Sequence, residues 1–301
     1  MAQLNTRDVF DDQHFDAASA AVNPLAKYFR VPGVHVKLPT RGAFLPPGSV
    51  TLTMNGEVPV YPMRSADELL LKSPDALMNG FAIEKLLESC VPAITTPRLI
   101  SSPDLDVILM AIRAATLGEI ITMTPTCPQC GEENETRRNL TELMASLTEV
   151  DPVNAIRLSD EVVVFVRPHN LENATRLGIA AFEEGRKVQA LDVNEATQIE
   201  RAAQIGRSMA RLAALNNDTI ADCIIKIVVP EGDVADPASI REFIGNISKT
   251  WSEKISAMLE SINGKGINKH FDVTCAGCGH TWQADIEFNP STFFDNDSSV
   301  S

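Results

Sequence analysis

The chain has 301 residues, 44% of them apolar, enough to bury more than one hydrophobic core, so two or three domains are expected. No apolar run approaches the ~20 residues that span a bilayer and no signal peptide is visible, which predicts a soluble, non-exported protein. A net charge of −14, with basic residues that do not cluster (Arg137-Arg138 and Arg186-Lys187 are isolated pairs among acids), disfavours nucleic-acid binding.

Residues 1–33, with Asp8, Asp11, Asp12 and an Ala-rich stretch, read as a flexible N-terminal arm carrying at most a short helix over Phe15–Ala21. Order is expected from Val34, where His35 to Pro39 reads as a strand. Val50–Met54 and Val58–Met63 alternate about Asn55-Gly56, the pattern of a hairpin.

Helices should follow. Ser65 with Glu68 reads as a capping box, and Ser73-Pro74 and Ser102-Pro103 each place a capping serine before proline. A helix over Gly80 to Ser89 lies between them. From Pro103 onward Leu105, Ile108, Leu109, Ile112 and Thr116 form one stripe, stopped by Gly118. Residues 34–118 are therefore assigned to an N-terminal α+β unit.

The next feature is the most informative. Cys127-Pro128-Gln129-Cys130-Gly131 is matched far downstream by Cys275-Ala276-Gly277-Cys278-Gly279. Each pair offers two sulfurs, and the glycine lets the backbone turn past the second. Flanking strands are predicted at Glu119–Met123 and Asn134–Arg138, and at Phe271–Thr274 and Thr281–Ile286. Cys127, Cys130, Cys275 and Cys278 thus read as a structural Zn²⁺ site in a discontinuous zinc ribbon, residues 119–139 and 269–290. A redox dithiol should open a helix, and here each pair runs into a polar, β-leaning segment. Disulfides, an iron–sulfur centre and an unmetallated state stay open. His280 abuts the second pair and reads as a supporting or surface group. Cys90 and Cys223, among apolar neighbours, read as small core residues.

Residues 140–268 are predicted to be a mainly helical insert: a helix over Leu140–Leu147, a hairpin-like pair (Ala155–Leu158, Glu161–Val166), then helices. Asn170 should cap Leu171–Glu184, and Asn194 should open a helix to about Leu215 that packs through Ile199, Ala203, Gly206, Ala210 and Ala213. Cys223–Val229 is a short apolar run interrupted by Lys226. Asp236-Pro237 starts another helix, and Ser248–Ile262 ends at Asn263-Gly264. Residues 291–301 form an acidic C-terminal tail. The fold class is α+β, a zinc-ribbon-like β element closed across the insert.

Catalytic patterns are missing: no P-loop, no GxGxxG after a strand, no HExxH and no GxSxG. The five histidines do not fall at helical ligand spacing, and Glu132-Glu133 and Glu183-Glu184 read as exposed charge. A non-enzymatic protein is expected.

Several strings carry a resemblance. They are Val36-Lys37-Leu38-Pro39-Thr40-Arg41-Gly42, Val60-Tyr61-Pro62-Met63, Cys90-Val91-Pro92, and Asp104 through Ile112-Arg113-Ala114-Ala115-Thr116-Leu117-Gly118 into Thr126 to Gly131. Cys278-Gly279-His280-Thr281-Trp282 and Phe288-Asn289-Pro290-Ser291-Thr292-Phe293-Phe294 complete them. In this order they resemble the baseplate hub assembly proteins of T-even-type contractile-tailed phages. The resemblance implies a structural or assembly role in the tail baseplate hub, with hub, wedge or tape-measure proteins as partners. It places the chain in the virion tail, or in host cytoplasm during assembly. An alternative is a chaperone for the tape-measure protein that is absent from finished virions; a zinc-ribbon nucleic-acid-binding regulator is a third. The resemblance supplies no catalytic residue, and the metal expectation rests on this chain's own cysteines.

Overall fold

The described residues from 32 onward build two apolar clusters, the larger of them around a single helix. The computed structural model describes residue 23 and residues 25–193, 197–286 and 293–294, the side chains of 191–193 excepted. Contacts divide the chain into Met1–Val31 and Pro32–Ser301. The first unit shows a 3₁₀ turn at Ala26–Tyr28, with the Lys27 ammonium 4.9 Å from the Tyr28 ring centroid. The helix expected over Phe15–Ala21 lies outside the described residues.

In the second unit, β1 (Val34–Lys37) pairs antiparallel with β2 (Glu57–Val60). This corrects the expected local hairpin. The turn at Asn55-Gly56 does form, with Gly56 at φ 74° and the Thr53 N–H donating to Glu57 O at 2.8 Å. Yet Val50–Met54 is not its partner strand. Pairing with β1 sets Val36 opposite Val58, and both are buried, whereas Leu52 and Met54 stay exposed. Long-range burial outweighs the local turn signal.

Helices α1 (Ser65–Leu71), α2 (Pro74–Met78) and α3 (Phe81–Cys90) follow. Ser73 caps α2 as expected. At α1 the capping box is shifted by one: Arg64 is the N-cap and the Asp67 carboxylate accepts its N–H at 2.8 Å. The next cap shifts likewise, since Ser101 rather than Ser102 accepts the Asp104 N–H at the start of α4 (Ser102–Leu117). The run Val107 to Ile112 is buried on every side, so α4 is a core helix rather than a one-faced surface helix. Gly118 ends it at φ 98°.

Around α4 collect β1, β2, α3 and, from the far end of the sequence, Ile267, Ile286, Phe293 and Phe294. Arg113 is buried with them; its guanidinium donates to Phe293 O and stands 5.3 Å from that ring. Asp104, 1% exposed, accepts the Thr40 N–H at 2.9 Å and also the Thr40 hydroxyl, fixing the loop after β1 to the head of α4. Burial pushes its carboxyl well above the usual range, against the pull of the Thr40 and Ser101 hydrogen bonds.

The chain then forms β3 (Ile120–Met123), β4 (Thr136–Asn139) and α5 (Leu140–Ala145). β3 and β4 pair as a hairpin that sends Ile121 and Met123 into the α4 core. Beyond α5, Thr148 and Gly266 exchange backbone hydrogen bonds of 2.8 and 3.0 Å, bringing the outgoing and returning chain together.

Between them lie β5 (Asn154–Arg157), β6 (Val163–Val166), α6 (Leu171–Val193), α7 (Gln198–Asp222), β7 (Ile224–Val229), β8 (Gly232–Val234), α8 (Pro237–Asn246) and α9 (Lys249–Asn263). β5-β6-β7-β8 form one antiparallel sheet. The segment is mainly helical by length, but where only a hairpin-like pair was expected it carries a four-stranded sheet. β7 is the Ile224-Ile225-Lys226-Ile227-Val228-Val229 run, whose β-branched residues suit a sheet. Ile227 and Val164 face α8 and α9 through Ile240, Ile244, Ile255 and Leu259 in a second apolar cluster.

α6 and α7 pack as a helical hairpin. The cap of α7 is Thr197, boxed with Glu200, not Asn194, which lies outside the described residues. The packing face is also corrected. Ser208 and Thr219 are buried, while Ile199, Ala203, Gly206, Ala210 and Ala213 are on the exposed side. Glu184 is likewise buried, not exposed as Glu183 is: it accepts from Ser208 Oγ at 2.8 Å and pairs with Lys187 and Arg211. A polar lock, rather than a small-residue seam, joins the two helices. Two last strands, β9 (His270–Thr274) and β10 (Thr281–Asp285), pair antiparallel. Among the described residues no helix is long and apolar enough to cross a membrane.

Candidate metal centre

Each CxxC pair occupies the tip of a two-stranded hairpin, and the two tips are built alike. In the first, the Cys127 N–H donates to Glu132 O at 2.8 Å and the Gly131 N–H returns to Cys127 O at 2.9 Å. In the second, the Cys275 N–H donates to His280 O at 2.8 Å and the Gly279 N–H to Cys275 O at 3.0 Å. Both turns need a left-handed residue, met by Gly131 at φ 77° and Gly279 at φ 72°.

The tips face each other. The sulfurs of Cys127, Cys130, Cys275 and Cys278 all lie within 4.8 Å of one another. Cys127 Sγ is 3.7 Å from Cys278 Sγ, and Cys130 Sγ is 3.5 Å from Cys275 Sγ. A disulfide needs about 2.05 Å. A tetrahedron of thiolates with 2.3 Å bonds to a central ion has an edge of roughly 3.8 Å. The observed separations match the second geometry, so these four residues can hold a metal ion. Their chemistry agrees: soft sulfur donors in a closed set that leaves no position for a substrate.

Without a cation such a group cannot ionise fully. The Cys278 N–H, joined by the Gly277 N–H, holds the Cys275 thiol down at about 6. The Glu132 N–H pulls Cys130 the same way, but the sulfurs of Cys278 and Cys275 together push it up to about 12. A divalent ion would replace the shared protons, so binding must release protons and weaken as pH falls.

Asn134 is a functional residue that the sequence reading missed. It is 7% exposed; its amide donates to Glu132 O at 2.9 Å, and its Oδ1 accepts the Ala276 N–H at 2.9 Å. Its Nδ2 also lies 3.7 Å from Cys275 Sγ. One side chain therefore stitches the first tip to the second. The only signal was an uncharged residue amid Glu132, Glu133 and Glu135. Arg138 makes a further link, stacking 4.6 Å from the Phe271 ring. His280 contributes no atom to the sulfur cluster; its ring lies parallel to Trp282, 6.2 Å between centroids.

Cys90 and Cys223 are buried in the two apolar clusters, as expected. Cys223 Sγ lies 3.2 Å from His169 Nδ1 and 4.0 Å from Asn173 Oδ1, a grouping that looks like a nucleophilic triad. Burial pushes the Cys223 thiol up to about 12 and lowers His169, so neither partner favours the ion pair that an activated thiolate requires.

A search among curated proteins and one among solved structures each found no significant match. The sequence itself, over residues 57–295, matches the family model described as T4 bacteriophage base plate protein. That span begins at β2, takes in α4, both cysteine hairpins and the sheet between them, and covers most of the chain. The chain belongs to the T4 bacteriophage base plate protein family.

Proposed function

We propose that this chain is a non-enzymatic structural subunit of a contractile-tail baseplate hub, acting through contacts with hub, wedge or tape-measure proteins. Family membership over residues 57–295 is the observation that carries this reading. The net charge of −14 favours protein partners over nucleic acid. Within the chain, Cys127, Cys130, Cys275 and Cys278 hold one structural Zn²⁺. The ion makes a discontinuous ribbon of residues 119–139 and 269–290, clasping the 34–118 unit and the 140–268 insert at their common base. Sulfur separations of 3.5 and 3.7 Å support that role.

Mass spectrometry of purified tails tests the hub assignment. A stoichiometric subunit is expected, whereas presence only in assembly intermediates would move the role to a departing tape-measure chaperone. Elemental analysis tests the metal: one zinc per chain, with four thiols shielded from alkylation until a chelator is added. Full reactivity of those thiols in the native protein would remove the clasp.

A further inference from the structure

Where the last turn of α7 meets the first turns of α6 and α8, three guanidinium groups converge on one acid. Arg176 Nη2 lies 2.6 Å from Asp222 Oδ2, and Arg241 Nη2 lies 3.0 Å from Oδ1. Arg167 donates through Nε and Nη2, at 3.3 and 3.0 Å, to the backbone carbonyl of Asp222. All three line a cavity of about 270 Å³.

The charges there do not balance. Three cations face two carboxylates, Asp222 and Glu172, so the cavity is locally positive in a chain whose total is −14. Arg167 spends its fork on a helix C-terminal carbonyl, which offsets only a partial charge. Arg176 Nε is buried with no hydrogen-bond partner among the described residues. A buried donor left empty is unfavourable unless something fills it. Two of the three forks are also already splayed around an acid, and planar guanidinium donors suit a second carboxylate.

We propose that this cavity receives a carboxylate side chain from an acidic segment of another polypeptide, with Arg167, Arg176 and Arg241 as its donors and Asp222 as the resident acid that holds them ready. That the polypeptide is a tail protein rests on the baseplate reading; the anion chemistry does not. A recessed cavity of this volume admits a side chain rather than a duplex.

The probe is a fluorescein-labelled hexaglutamate peptide, followed by anisotropy with the full-length protein at low ionic strength. Saturable binding that weakens with added salt is expected. Arg241→Gln and Arg167→Gln should each weaken it about tenfold. Asp222→Asn, which removes the resident competitor, should tighten it. Lys249→Gln deletes the same charge on α9, where the side chain is 89% exposed, and should leave binding unchanged. Melting curves accompany each variant; Arg241, half exposed, is the one expected to keep the fold whatever Arg167 does. No saturable binding to the wild type, or equal losses in Arg241→Gln and Lys249→Gln, would overturn the proposal. So would binding of inorganic phosphate or duplex DNA at the same arginines without binding of the peptide. A failure of the baseplate reading would show in tail proteomics and leave this measurement untouched.

Discussion

The paired cysteine hairpins and the α4 core are held by different physics. The hairpins have strands of four and five residues, and two of their four sulfurs belong to exposed residues. Two-stranded elements of that size are marginal in water. α4 is the reverse: a 16-residue helix enclosed by apolar side chains from both ends of the sequence. The proposed ion would supply the hairpin tips with what their short strands lack, whereas α4 needs only area removed from water.

The comparison breaks most decisively at the metal. Structural zinc contributes roughly 10–16 kcal/mol apparent in small fingers. Chelation, or Cys278→Ser, is expected to expose the amides of β3, β4, β9 and β10 to hydrogen exchange while α4 stays protected. Equal loss in α4 would show that the two regions are one cooperative unit. Next in size is Ile112→Ala, at a position with no exposed surface, expected to cost about 2–5 kcal/mol in urea unfolding. It should leave the chelator concentration that strips the hairpins nearly unchanged.

Asn134→Ala sharpens the contrast from inside the hairpins. It removes the Ala276 N–H hydrogen bond between the two tips, and the Glu132 bond within the first, while leaving all four cysteines in place, and should weaken metal retention about 10–100-fold in competition with a chelator. The smallest effect is at Asp104. Its raised carboxyl pKa means the fold prefers the protonated form. That contribution is fully present below the unfolded value of about 3.9 and is lost as pH rises through the folded value. Asp104→Asn copies the neutral form, so it should be the more stable protein at pH 7. The two should converge in urea titrations below pH ~4.

Features set by neighbours in sequence were legible before any coordinates. The flanks of each CxxC pair, the caps at Ser73, Asp236 and Ser248, and the stop at Gly118 all follow from local backbone chemistry. What escaped depends on distant company. β2 was expected as a strand but pairs with β1 instead of Val50–Met54, and β7 is a strand because β6 lies beside it, across two intervening helices. The solvent side of α7 carries Ile199, Ala203 and Gly206, so apolar periodicity pointed to the wrong face, while a buried Glu184 marks the right one. Asn134 and the arginines around Asp222 act only once separate segments meet. The four cysteines were the exception, because thiols in matched CxxC pairs point to one cluster whatever their separation, and their sulfurs do meet.

That separation sets a timetable for synthesis. Cys130 and Cys275 stand 145 positions apart. At about 5–20 residues per second, a ribosome leaves the first thiols waiting roughly 7–30 seconds for the second pair. During that interval Cys127 and Cys130 lack their partner pair, so an oxidant or a stray metal meets two thiols rather than a closed set of four.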